Sequence, residues 1–117
     1  MLAAPKKLGA GARAALRRVE AGRDDAWLAA AVVAEVLLLR GLGRVGLGLP
    51  ELRRAMESAP SLHFAPLDLD QLDQFASLGS IADPFDRLIV SAARSKGAIL
   101  ITRDATLAEG GLVETLW

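Results

Sequence analysis

Apolar and polar positions divide the chain into short elements punctuated by glycine, proline and aspartate. Residues 10–22 are rich in Ala and Arg, carry Leu16 and Val19 on one face and end at Gly22, which predicts a helix. Asp24 and Asp25 open Ala26-Trp27-Leu28-Ala29, which reads as a short buried strand. From Ala30 or Ala31 to Arg40 the chain is almost wholly apolar, and its length favours a buried helix ended by Gly41. Gly41 to Pro50 is a glycine-rich loop, and Pro50 suits the first position of a helix running to about Ser58. Ser61 to Leu67 is a weak strand interrupted by Pro66. Asp68 to Leu78 predicts a helix with Leu69, Leu72, Phe75 and Ala76 on its apolar side. The sharpest signal follows. Asp83 N-caps a helix with Pro84 next, and Phe85, Leu88, Ile89, Ala92 and Ala93 form a 3.6-residue stripe to about Lys96, closed by Gly97. Ala98 to Thr102 is a continuous apolar run, the mark of a strand buried on both faces. Thr106 to Ala108 makes a short helical turn, and Val113 to Trp117 a final strand. Strands alternating with helices argue an α/β fold with a mostly parallel sheet and helices on both sides.

Composition narrows the chemistry. The 117 residues suit a single domain, and 52% hydrophobic content is enough for a core, while 4% aromatics makes that core aliphatic. With no Cys and a single His, His63, disulfide scaffolds, thiolate zinc sites and histidine-based triads are excluded as leading readings. Lys+Arg and Asp+Glu are equal at 14 each, but the halves differ: residues 1–60 hold ten basic and six acidic side chains, residues 61–117 four and eight. That asymmetry suits either a division between polyanion contact and cation binding or ordinary scatter over solvated faces. Met1 to Lys7 is basic without an apolar h-region, so no secretory signal is expected. The most apolar stretch, Ala26 to Leu39, is 14 residues with Glu35 inside it, too short to cross a bilayer; a soluble, cytoplasmic protein is expected.

Four carboxylates stand out. Glu35 has apolar residues on both sides, so a buried helix there must protonate it, pair it with a cation such as Arg87, or roll it to water. Asp83 suffices as a helix N-cap, and Asp86 falls in the first turn, where the helix dipole favours an anion. Asp104 follows the apolar run, where open α/β sheets bind ligands, and equally suits the N-cap of the next turn. Gathered at one end of a parallel sheet, with no thiol or histidine nearby, such acids make a hard-oxygen site for Mg²⁺ or Mn²⁺. A bound ion there can polarise a phosphodiester and activate water. Two decoys are set aside. Gly41 to Gly46 matches G-x-G-x-x-G, but Pro50 delays the following helix, and Pro60 and Pro66 break the region where an acid-bearing strand should end. His63, beside Phe64 in a weak strand, is an ordinary core or surface histidine.

Asp83-Pro84-Phe85-Asp86-Arg87-Leu88-Ile89-Val90-Ser91-Ala92-Ala93, then Gly97, Ile101-Thr102-Arg103-Asp104 and the terminal Leu116-Trp117, resemble the C-terminal half of a PIN domain, and more narrowly the VapC-type toxins of bacterial toxin–antitoxin pairs. Upstream, Glu35 in an apolar helix and Gly43 to Pro50 fall in the family's order. The resemblance implies a three-layer α/β/α sandwich, an Mg²⁺- or Mn²⁺-dependent endoribonuclease acting on RNA, a protein antitoxin and a homodimer. By position it implies Glu35, Asp86 and Asp104 as metal-binding catalytic acids, with Asp83 beside them and Arg87 and Arg103 placed to touch RNA phosphate or to neutralise the cluster.

One departure from the family matters. Its members begin with an apolar strand ending in a metal-ligating aspartate, and that strand lies mid-sheet in the order 3-2-1-4-5. This chain opens instead on Met1 to Leu16, similar to the segment after that strand, so it reads as N-terminally truncated relative to the family. Asp24 and Asp25 precede a strand and are poor substitutes. A late-assigned start, a rearranged or borrowed strand and a degenerate relative are the three explanations. Losing the strand removes one ligand and leaves a gap, since neighbouring strands sit ~4.8 Å apart. Weak or absent catalysis is expected, and a non-catalytic module binding an antitoxin-like partner or its own copy is the alternative.

Overall fold

A computed structural model of the protein describes residues 8–43 and 48–117. Met1 to Lys7 and most of the second half of the G-x-G-x-x-G segment, Arg44 to Leu47, lie outside the described residues. The elements run α1 (Ala10–Glu20), β1 (Ala26–Ala29), α2 (Ala30–Gly41), α3 (Leu49–Glu57), β2 (Leu62–Ala65), α4 (Leu69–Ser77), α5 (Pro84–Ser95), β3 (Leu100–Ile101), α6 (Ala105–Glu109) and β4 (Thr115–Leu116). This is the α/β alternation that the sequence pattern predicts. No described helix is long and apolar enough to cross a membrane.

Local chemistry sets the boundaries. After α1, Gly22 at φ +74° lets the chain reverse while its N–H closes on the Val19 carbonyl. Arg18 and Asp24 pair across that turn at 2.6 Å. Asp68, Asp83 and Asp104 each accept a backbone N–H at the start of the helix that follows.

The strands form two separate parallel pairs. β1 lies against β2 with Ala26 opposite Leu62 and Ala29 opposite Ala65. β3 lies against β4 with Leu100 opposite Thr115 and Ile101 opposite Leu116. No hydrogen bond of the ladders joins one pair to the other. Helices span the division instead: α5 packs on α4 and also on α2.

One expectation is corrected. Ala98 to Thr102 is not a strand buried on both faces. Only Leu100 and Ile101 are extended in a ladder, both are half-buried, and Ile99 is 50% exposed. Burial of both faces needs elements packed over each of them, and here the covering is partial.

A second correction concerns α4. Its predicted apolar side is not the one it buries: Leu69 and Leu72 are exposed, whereas Gln71 and Leu78 are buried. Hydrogen bonding sets the roll. Asp68 Oδ1 accepts from the Gln71 N–H at 2.9 Å, and Gln71 Nε2 donates to the Pro66 carbonyl at 3.3 Å. Phe75 is held beneath the Arg87 guanidinium, 4.0 Å from its ring centroid. The core is otherwise aliphatic and small, as composition requires, with Ala12, Leu52, Ala65, Val90, Ala92 and Ala93 buried.

At the carboxyl end of β4, the Gly11 N–H donates to the Trp117 carbonyl at 3.1 Å. A Cβ at Gly11 would lie 2.8 Å from both that oxygen and Leu116 Cδ1. Replacing a helical glycine by alanine ordinarily stabilises by up to ~1 kcal/mol. Here overpacking, typically ~1–3 kcal/mol, reverses the sign. Gly11→Ala is expected to lower the urea midpoint, and a raised midpoint would show that α1 does not press on β4.

Candidate functional site

Three of the four candidate acids owe their position to helix starts. Asp83 is the N-cap of α5, its Oδ1 accepting from the Asp86 N–H at 2.9 Å. Asp86 therefore sits in the first turn of α5, half-buried, with its carboxylate making no hydrogen bond among the described residues. Asp104 leaves β3 and caps α6, its Oδ1 accepting from Thr106 N–H at 2.9 Å and Leu107 N–H at 3.4 Å. Both capping carboxylates thus spend one oxygen on backbone and keep the other free of hydrogen bonds among the described residues.

Glu35 arrives from α2. Of the three outcomes open to a carboxylate in all-apolar surroundings, the structure takes the roll to water: Glu35 is exposed, and so are its neighbours Ala34, Leu37 and Leu38. The helix is rolled so that the acid meets water, and no ion pair with Arg87 forms. α2 packs chiefly on α5 and β1, and Leu37 and Leu38 beside the acid stay exposed.

The acids nonetheless influence one another. Partial desolvation, followed by the charges of Asp86 and Asp83, holds the Glu35 carboxyl above the usual carboxylate range. Desolvation, then Asp83 and Asp104, does the same to Asp86. Water reaches Glu35, so screening makes this a bias against ionisation and not its suppression. A cleft of about 490 Å³ opens on Asp83, Asp86 and Asp104, with Ile81, Leu107 and Leu112 in its walls.

Oxygen-only donors in an electronegative cleft have the right chemistry for a hard divalent cation. Their placement falls short. Among the described residues no three His, Cys, Asp or Glu side chains stand close enough to hold an ion. The residues present do not by themselves form a closed metal site.

The two arginines have different fates. Arg87 turns away from the acids and ties α5 to α4, donating from Nε to the Phe75 carbonyl at 2.8 Å while stacking on that ring. Arg103 is exposed and forms no side-chain hydrogen bond or ion pair among the described residues. His63 lies half-buried against Asp25 at 2.8 Å and against Trp27, with ring centroids 4.9 Å apart. It takes no part in the acidic cleft. Sequence reasoning missed the cleft walls, Ser80, Ile81, Leu107 and Leu112, because loop residues and a five-residue helix carry no periodic signal. The one available hint was apolar residues lying beside each capping aspartate.

Mutual repulsion has a thermodynamic signature. A carboxyl whose folded pKa lies above its unfolded value binds protons more tightly when folded. Its charge therefore costs stability as pH rises through the ordinary carboxylate range, and the cost is absent below it. Glu35→Gln is expected to melt at a higher temperature than the parent at pH ~7, with the gain vanishing near pH ~3. Equal melting temperatures at neutral pH would mean that Glu35 does not face the other acids.

Comparison with known proteins agrees with this architecture. No curated protein matches the sequence. Among solved structures, the chain is similar to one in the crystal structure of VapBC2 from Rickettsia felis bound to a DNA fragment from their promoter. The TM-score is 0.62 at 15% identity, covering 88% of this chain and 82% of that one, so the likeness is one of fold. The family model described as PIN domain matches residues 4–111. Nearly the whole chain is matched, and the protein belongs to the PIN domain family.

Proposed function

We infer that the chain is a VapC-like PIN protein whose acidic cleft is an incomplete ribonuclease centre. Glu35, Asp86 and Asp104, with Asp83 at the margin, would attract Mg²⁺ or Mn²⁺ weakly, and RNA cleavage by the chain as it stands is weak or absent. The observation that carries this reading is a mismatch. The carboxylates are near enough to raise the pKa of Glu35 and Asp86, yet no three of the described acids close on a common ion. Catalysis is less tolerant than binding, since a displacement of ~1 Å can cost on the order of 100-fold in rate. Arg103, exposed beside Asp104, is the basic residue best placed to meet an RNA phosphate.

A second reading has its own support. The uncovered apolar side of α2, with Leu37 and Leu38 exposed and Leu42 just beyond, suits a protein partner. The similar chain from Rickettsia felis is part of a VapBC complex. In this reading the protein binds an antitoxin-like chain or its own copy, as a homodimer, without cleaving RNA.

The two readings separate on cation binding. The first expects Mn²⁺ to bind weakly by calorimetry, Asp86→Asn to abolish that binding, and cleavage of single-stranded RNA to stay far below that of a complete metal nuclease. Robust Asp86-dependent cleavage would overturn the claim of incompleteness. No Mn²⁺ binding, together with a stable dimer in solution, would favour the interaction module.

A further inference from the structure

The cleft is larger than a cation and its waters require, and apolar residues line it together with the acids. Ile81, Leu107 and Leu112 are among them, with Val90 at 1% exposure, and Ser80 and Thr106 line it as well. We propose that this apolar lining makes the cleft a nucleobase subsite, taking the neutral, planar base of an RNA nucleotide. The proposal rests on the ribonuclease reading and adds to it the part of the substrate that the cleft grips.

Three observations converge on that occupant. About 490 Å³ lies within the range of small-molecule sites, which combine apolar walls with a few polar groups. Asp83, Asp86 and Asp104 line the same space, so an anionic group would be repelled from the walls. What enters must therefore be uncharged. Aliphatic side chains on a flat ring supply dispersion and desolvation, while hydroxyls of the Ser80 and Thr106 type can meet a base edge. Neither hydroxyl is committed to a hydrogen bond among the described residues, although the Thr106 backbone N–H is taken by Asp104. Proteins that read single-stranded RNA bind bases splayed out of the stack in this manner.

The test uses the four ribonucleosides, which carry the base without the phosphate, titrated into the intact chain without divalent ion and followed by amide NMR. At least one nucleoside is expected to bind saturably, shifting resonances of Ile81, Leu107 and Leu112. Ser80→Trp fills the cleft from an exposed rim position and is expected to weaken that binding by about tenfold or more. Amide spectra away from the cleft verify that this variant is folded. Glu35→Gln lies outside the cleft walls and is expected to leave nucleoside affinity unchanged while removing any Mn²⁺-dependent cleavage. Nucleoside binding by a chain that shows no Mn²⁺ affinity would sink the ribonuclease reading and leave the subsite standing. Absence of saturable binding at millimolar nucleoside, shifts mapping elsewhere, or parent-like affinity in Ser80→Trp would each overturn the subsite.

Discussion

Backbone hydrogen bonding stops where the two strand pairs should meet, and everything else in the molecule accommodates that interruption. β1 and β2 satisfy each other, as do β3 and β4, but among the described residues no ladder crosses between them. Cohesion between the halves passes to helices. α5 leads directly into β3, packs on α4 from the β2 side, and touches α2 from the β1 side. Arg87 strengthens that junction by giving its guanidinium to the Phe75 carbonyl and ring. A residue for which the family resemblance implies contact with RNA phosphate or neutralisation of the acids thus also holds two helices together.

The same interruption shapes the acidic site. In an open parallel sheet, residues leaving adjacent strand ends are fixed relative to one another by the ladder itself. Here Asp104 is fixed by β3 and by its cap on α6, while Glu35 is fixed by α2 on the other side of the division. Asp83 and Asp86 are locked together by an N-cap and sit between them in charge terms. Repulsion is felt across the cleft, but no common point of coordination results. Convergence and closure are therefore separate achievements, the first made by helix capping and the second requiring sheet continuity.

Much of this was legible in the residues. The helix from Pro84 to Ser95 was readable because Asp83, Pro84, the apolar stripe and Gly97 all point the same way, and the structure has that helix and that cap. What escaped had specific physical causes. The apolar neighbours of Glu35 left burial, ion pairing and a roll toward water all open, and only the folded helix, with Leu37 and Leu38 exposed beside the acid, decides for water. The roll of α4 was misread because hydrophobicity favoured Leu69 and Leu72, whereas a capping bond to the Gln71 N–H and a side-chain bond from Gln71 decided it. The Ala98 to Thr102 run was overcounted because burial of a strand depends on a neighbour that the run itself does not encode.

The indole chemistry offers a use for this arrangement. The chain has two tryptophans, and they fall one to each strand pair, Trp27 on β1 and Trp117 just beyond β4. Trp27 lies with Lys96 Nζ 4.5 Å from its ring centroid, and Lys96 is the C-cap residue of α5. Its emission is thereby coupled to contact with α5, while Trp117 lies against α1, the helix that leads into β1. Intrinsic fluorescence of the unlabelled protein thus carries a built-in ruler of whether the halves stay docked or drift apart.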